Sequence, residues 1–263
     1  SFCSWRSPGC PPYLPHRLVP VLLVAGPRPR PGYSQNWNLT LERQVFRDTA
    51  VSLGYVANLG VKILAARQLN PAVPGPGASA ANINARRLYQ GIGDMEFASG
   101  FQSSNFHSLQ LGVTRRTRRG LTVLANYVFS KVIDNSSSTV EGNSSWPLNP
   151  FNLRQSRGAG DFDTTHRGVV SFVYDLPKLD AGNAFAKALL NDWQLNGIMT
   201  LRSGLPFTVT SGADRAFAGM PNSFADQIGD PARPDGADKL FNWFNRAAFR
   251  QAALGTFGNL GRN

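Results

Sequence analysis

From Tyr33 onward the chain alternates apolar and polar positions with a period of two, interrupted by stretches rich in turn residues. The pattern is clearest between Asn105 and Lys131. There Leu109, Leu111 and Val113 share one face, with Ser108, Gln110 and Gly112 opposite. After an arginine-rich turn, Leu121, Val123, Ala125, Tyr127 and Phe129 resume the apolar face against Thr122, Asn126 and Ser130. Side chains of a strand point alternately to its two sides, so this spacing predicts two long antiparallel strands, each apolar on one face. Each arm approaches the length of about 9–11 residues that a strand needs to cross a bilayer. A soluble sandwich with one buried face alternates in the same way.

The same pattern recurs elsewhere. Trp37, Leu39 and Leu41 alternate with Asn36, Asn38, Thr40 and Glu42, and a short link at Val45–Asp48 leads to Val51, Leu53 and Tyr55. In HRGVVSFVYDLP the apolar face moves to even positions, Val170, Phe172 and Tyr174. Trp193, Leu195, Met199 and Leu201 alternate with Gln194, Asn196, Thr200 and Arg202, and Phe207 with Val209 suggests one more strand after a bend at Ser203–Leu205. In all, about seven strands are expected. Between them lie a long polar segment, about Leu59 to Ser104, a second from Asp134 to Thr165, and a medium link, Leu176 to Asp192, in which AFAKALL suggests a helical turn. From Ala213 onward the chain reads as loop. Links that alternate between short and long suit an up-and-down membrane barrel, whereas a Greek-key sandwich has no reason to alternate. The aromatics Trp37, Tyr55, Tyr127, Phe129, Tyr174 and Trp193 fall near strand ends, consistent with interfacial girdles or with ordinary core packing.

Composition narrows the classes. Hydrophobic residues make up 42% of the 263 positions, but no run of about 18 apolar residues occurs, so no transmembrane helix is expected. The net charge of +11 raises nucleic-acid binding. Apart from Arg115, Arg116, Arg118 and Arg119, however, the basic residues are dispersed and carry no interleaved aromatics, and no nucleic-acid partner is expected. Cys3 and Cys10 both lie near the start of the chain, which excludes a disulfide framework for the rest. Residues 1–31 carry eight prolines from Pro8 to Pro31 and no acidic residue. They read as a disordered or non-native leader, and residues 32–263 as the folded part.

Catalytic chemistry is sparse. Asp161, Asp163 and His166 in GDFDTTHRG are the nearest approach to a metal or catalytic cluster, and a polar loop leading into a strand explains them more simply. No nucleophile elbow occurs, and the glycines of GPGASAANI and GIGDMEFASG are not spaced as a phosphate cradle. Neither an enzyme nor a cofactor is expected.

Taken in order, YSQNWNLTLERQ, AVSLGYVANLGVKI, FHSLQLGVTRRTRRGLTVLANYVFSKVIDNSS, PFNLRQSRGAGDFDTTHRGVVSFVYDLP, NDWQLNGIMTLRSGLPFTVTSG and GTFGNLGRN resemble successive segments of one barrel. It is that of the TonB-dependent-receptor-like outer-membrane proteins, in the Oar-like branch common in Acidobacteria. The resemblance implies an all-β fold: a partial antiparallel transmembrane barrel with long external loops and short periplasmic turns, in the outer membrane of a Gram-negative bacterium. It also implies that regulatory-like and plug domains precede the barrel and closing strands follow it, so that these residues form a fragment. Outer-membrane lipid would then cover Trp37, Leu39, Leu41, Val51, Leu53, Tyr55, Leu109, Leu111, Val113, Leu121, Val123, Tyr127, Phe129, Trp193, Leu195, Met199 and Leu201. Arg154, Arg157, Asp161, Asp163, His166 and Arg167 would line a lumen or external vestibule and meet an extracellular solute. The expected role is uptake or binding of that solute, with an energy-transducing TonB-type partner engaged only through the preceding plug. Two alternatives are a surface-display or adhesion barrel and a soluble β-sandwich binding module.

Overall fold

The computed structural model describes the backbone of residues 22–25 and residues 31–117, 120–137, 146–178, 191–233, 236 and 242–263. Residues Arg118 and Arg119, the AFAKALL stretch, Cys3 and Cys10 lie outside the described residues.

The described residues form ten strands. In chain order they are β1 (Leu22–Ala25), β2 (Tyr33–Phe46), β3 (Thr49–Gln68), β4 (Met95–Arg116), β5 (Leu121–Asp134), β6 (Gly158–Ala159), β7 (His166–Asp175), β8 (Gln194–Arg202), β9 (Asp226–Gln227) and β10 (Phe249–Arg250). The main sheet runs β2-β3-β4-β5-β7-β8, each strand antiparallel to the one before it. This is an up-and-down meander, open between β2 and β8 among the described residues. Short connections, Arg47–Asp48 and 117–120, lie at one end, with the medium link 176–193. The long ones, 69–94 and 135–165, lie at the other. The strand order is that of a mostly antiparallel, partial barrel wall.

Register explains why the alternation was so regular. Leu41, Leu53, Leu111, Tyr127, Gly168 and Leu201 lie in one row across six strands. The next rows are Leu39, Tyr55, Leu109, Phe129 and His166 on one side, and Val51, Val113, Ala125, Val170 and Met199 on the other. The even-numbered face of β7 thus joins the odd-numbered face of its neighbours, because Val170 stands opposite Ala125 and Phe172 opposite Val123. Nothing among the described residues covers this face: Leu39, Leu41 and Leu201 are each 63% exposed. The reverse face carries Ser52, Gly112, Asn126 and Thr200 in one row, interrupted by Val169.

Two expectations need correction. The segment Leu59–Ser104 is not one loop, because β3 continues to Gln68 and β4 begins at Met95, leaving only 69–94 between the strands. The cause is a bulge at Lys62, whose φ of 55° is left-handed. It shifts the register between Val61 and Ile63 and breaks the period-two signal there. The expected strand at Phe207 and Val209 does not form; the nearest pairing is an isolated bridge, Thr210 to Phe224. Within residues 1–31, β1 pairs parallel with Met95–Ala98 of β4. It is confined to four residues between Pro20 and Pro27.

The described residues from Ala213 onward, read as loop, fold instead with residues 203–212 into a cap over the long-loop end of the sheet. Its core is small and alanine-rich: Ala66, Trp146, Ala216, Ala218, Met220 and Phe257 cluster together. Backbone bonds stitch the segments, with Ala72 N–H donating to Ala218 O and Arg262 N–H to Gln155 O. Asn70, fully buried, accepts from Tyr89 N–H and donates to the carbonyls of Tyr89, Ile92 and Gly93, fixing the 69–94 loop. Asn has both donors and acceptor on one short side chain, which lets a single residue satisfy several loop backbone groups.

Candidate functional site

The residues singled out from the sequence around β7 do not form one cluster. Asp163 is 2% exposed and turns inward to β5. It accepts from Val132 N–H at 2.8 Å and from Lys131 Nζ at 2.5 Å. It therefore clasps the end of the 135–165 loop to the strand that the loop leaves. His166 points the other way, onto the apolar face, where Nδ1 meets the Tyr127 hydroxyl at 2.7 Å and the ring lies 5.3 Å from that of Phe129. Arg167 stands on the polar face opposite Val128 and Arg202. Arg154 and Arg157 are exposed at a 3-10 turn, Leu153–Ser156. Among the described residues no group of three or more His, Cys, Asp or Glu is placed to hold a metal ion.

Asp161 joins a different constellation, which sequence reading missed. Arg262, near the end of the chain, is 10% exposed at its side chain and pairs with Asp134 and with Asp161, the latter at 2.9 Å. Its Nη2 also donates to Ser137 Oγ at 2.6 Å. Asn263 Nδ2 donates to Asp161 Oδ1 at 3.0 Å and to Ala159 O at 2.9 Å. The guanidinium fork suits this role because it presents several donors in fixed directions to carboxylates on two segments. The two partners are separated from Arg262 by 128 and 101 positions, so no local signal reveals them.

Beside this knot lies a cavity of ≈ 200 Å³, lined by residues of the 135–165 loop, the cap and Arg262. It sits at the long-loop end, where the cap meets the top of β5.

Of the seventeen positions expected to meet lipid, Trp193, 60% exposed, directly precedes β8, and the other sixteen share the apolar face. Two tyrosine–histidine pairs repeat there with the same geometry. Tyr55 and His107, like Tyr127 and His166, have ring centroids 6.2 Å apart and planes 27° from parallel. Each pair links neighbouring strands diagonally, which lets a polar imidazole lie at the edge of an apolar band with one nitrogen satisfied.

No curated protein and no solved structure matches the chain. A family model described as outer membrane beta barrel domain matches residues 14–263. With its meander sheet, its alternately apolar and polar faces and its uneven connections, the chain belongs to this outer-membrane β-barrel domain family.

Proposed function

We propose that these residues form the wall and external cap of a TonB-dependent-receptor-like barrel that binds and takes up an extracellular solute. The observation that carries this reading is the cap itself. A barrel that only anchors has no need to fold its long loops over one end of a polar-faced wall, and this chain commits three segments to doing so. Hydrocarbon covers the exposed apolar face, because a wall with no second layer otherwise leaves a row of large hydrophobic residues in water. The polar face lines the passage, where Arg167 and Arg202 stand in adjacent strands. Energy for uptake comes from an inner-membrane TonB-type partner acting through a plug ahead of the barrel. The chain's own contribution is recognition and passage without chemical conversion of the solute.

Deletion of the gene, followed by transport assays with labelled nutrients, tests this. Loss of uptake of one solute, with the same loss when the proton-motive force is collapsed, is the expected result. Unchanged uptake of every solute in the deletion strain, with surface adhesion lost instead, would replace transport by display.

A further inference from the structure

The cavity beside Arg262 carries polar atoms that the protein does not satisfy. Six buried side-chain polar atoms lack a hydrogen-bond partner among the described residues, and three of them, Asn135 Oδ1, Trp146 Nε1 and Ser156 Oγ, belong to residues lining this one cavity. Trp146 is 5% exposed and Ser156 4%, so neither side chain turns to bulk water for a partner. Leaving a buried donor or acceptor unpaired costs more than a typical hydrogen bond contributes, so native proteins rarely do it without a reason. Three at one small cavity point to something that occupies it.

The chemistry of the lining selects the occupant. The one fully positive group present, Arg262, is already engaged by Asp134, Asp161 and Ser137, so the cavity offers an anion no free cation. The open positions are an indole N–H that only donates, an amide oxygen that only accepts, and a hydroxyl that does both. A ligand matching all three at close range needs groups that donate and accept from one atom, which hydroxyls do. The volume of ≈ 200 Å³ corresponds to about six waters and falls below the about 300–1,000 Å³ of pockets for drug-sized ligands.

We propose that this cavity binds a small uncharged solute bearing several hydroxyls, a single sugar ring or a polyol, held by Trp146 Nε1, Ser156 Oγ and Asn135 Oδ1. The assignment rests on the reading of the cap as the solute-receiving end of an uptake barrel, and it names the class of solute received there.

Calorimetric titration of the full-length product in outer-membrane vesicles tests it, with glucose and mannitol as probes and gluconate and glucosamine as charged comparators. Saturable binding of a neutral probe is expected, with the charged comparators weaker. Trp146→Phe keeps the ring in the alanine-rich core and removes the N–H. Ser156→Ala removes the hydroxyl. Each should weaken binding about three- to tenfold, the worth of one hydrogen bond, with the variants' melting temperatures confirming that the cap is folded. Three results would overturn the proposal: no heat from either neutral probe with folded protein, binding unchanged in both variants, or preference for gluconate. Folded variants more stable than the parent, with no probe bound, would show that the cavity holds ordered water only. Sugar binding that depends on Trp146 and Ser156 without any transport defect in the deletion strain would preserve the site and sink the uptake reading. A transport defect for a solute that ignores both substitutions would do the reverse.

Discussion

Asp163 shows how much one carboxylate can hold in place. Its side chain is almost fully buried, accepts a backbone N–H from Val132, and pairs with a lysine that is half exposed. Most of its worth therefore lies in the backbone bond rather than the ion pair, since a partly exposed pair contributes little. Asp163→Ala should destabilise the protein by about 1–3 kcal/mol, the cost of stranding a buried donor, while Asp163→Asn, which keeps an acceptor, should lose less. Urea titration of both variants gives the comparison, and equal losses would contradict the assignment. Arg262 presents the opposite balance. Its guanidinium and Asp134 are both buried, at 10% and 8% side-chain exposure, so Arg262→Ala leaves charge uncompensated and should cost about 3–5 kcal/mol. The damage should appear as protease cleavage in the cap, with the strands of the sheet still protected; an intact cap in the variant would mean that the knot is incidental. Sequence could nominate Asp161, Asp163 and His166 because they lie within six positions, but it could not separate them. Asp163 and His166 diverge because the strand begins at His166, whose ladder puts it on the apolar face, while Asp163 still lies in the loop and is held by the β5 backbone.

At the scale of the strand, the sequence was legible wherever a single face is apolar over many residues. Parity of the hydrophobic positions put Leu109, Leu111 and Val113 together, and the ladder to β3 and β5 keeps them so. Legibility failed at the Lys62 bulge, where one left-handed residue inserts an extra position and the alternation loses phase. It failed again at Phe207 and Val209, where two alternating residues without strand partners were too few to specify pairing. The clean parity also gives a sharp test. Leu111 and Gln110 are adjacent, and their side chains lie on opposite faces of β4. Leu111→Arg places a charge on the lipid side and should destabilise membrane-inserted protein by about 2–4 kcal/mol. Gln110→Arg places the same charge on the polar side and should change stability by less than about 1 kcal/mol. Folding titrations into lipid vesicles read both, and comparable losses would mean that the faces are assigned the wrong way round.

For the whole molecule, strand length set against membrane thickness fixes where the wall stops and the outside begins. β3 has 20 residues, which at about 3.4 Å each gives about 68 Å along the strand. A tilt of about 40° reduces this to about 50 Å of height, twice the apolar band of about 25 Å that outer-membrane barrels present. Half of the β3–β4 hairpin must then stand clear of hydrocarbon. The apolar rows fix which half: they run through Val51, Leu53 and Tyr55, near the short turn, while the Lys62 bulge, β1 and the cap-facing Ala66 lie beyond them. Leu53 and Leu64 make the contrast measurable, because both lie on β3 and expose 45% and 50% of their surface. To burial alone they are equivalent. Their separation of 11 positions amounts to about 28 Å of height at the same tilt, enough to carry one out of the bilayer when the other is within it. Nitroxide labels at Leu53→Cys and Leu64→Cys in vesicles should therefore respond oppositely: the first to oxygen, which concentrates in acyl chains, and the second to a water-soluble nickel chelate. Equal response of both labels to the nickel chelate would remove the lipid from the apolar face, and with it the physical reason for a single-layer wall whose hydrophobic side none of the described residues covers.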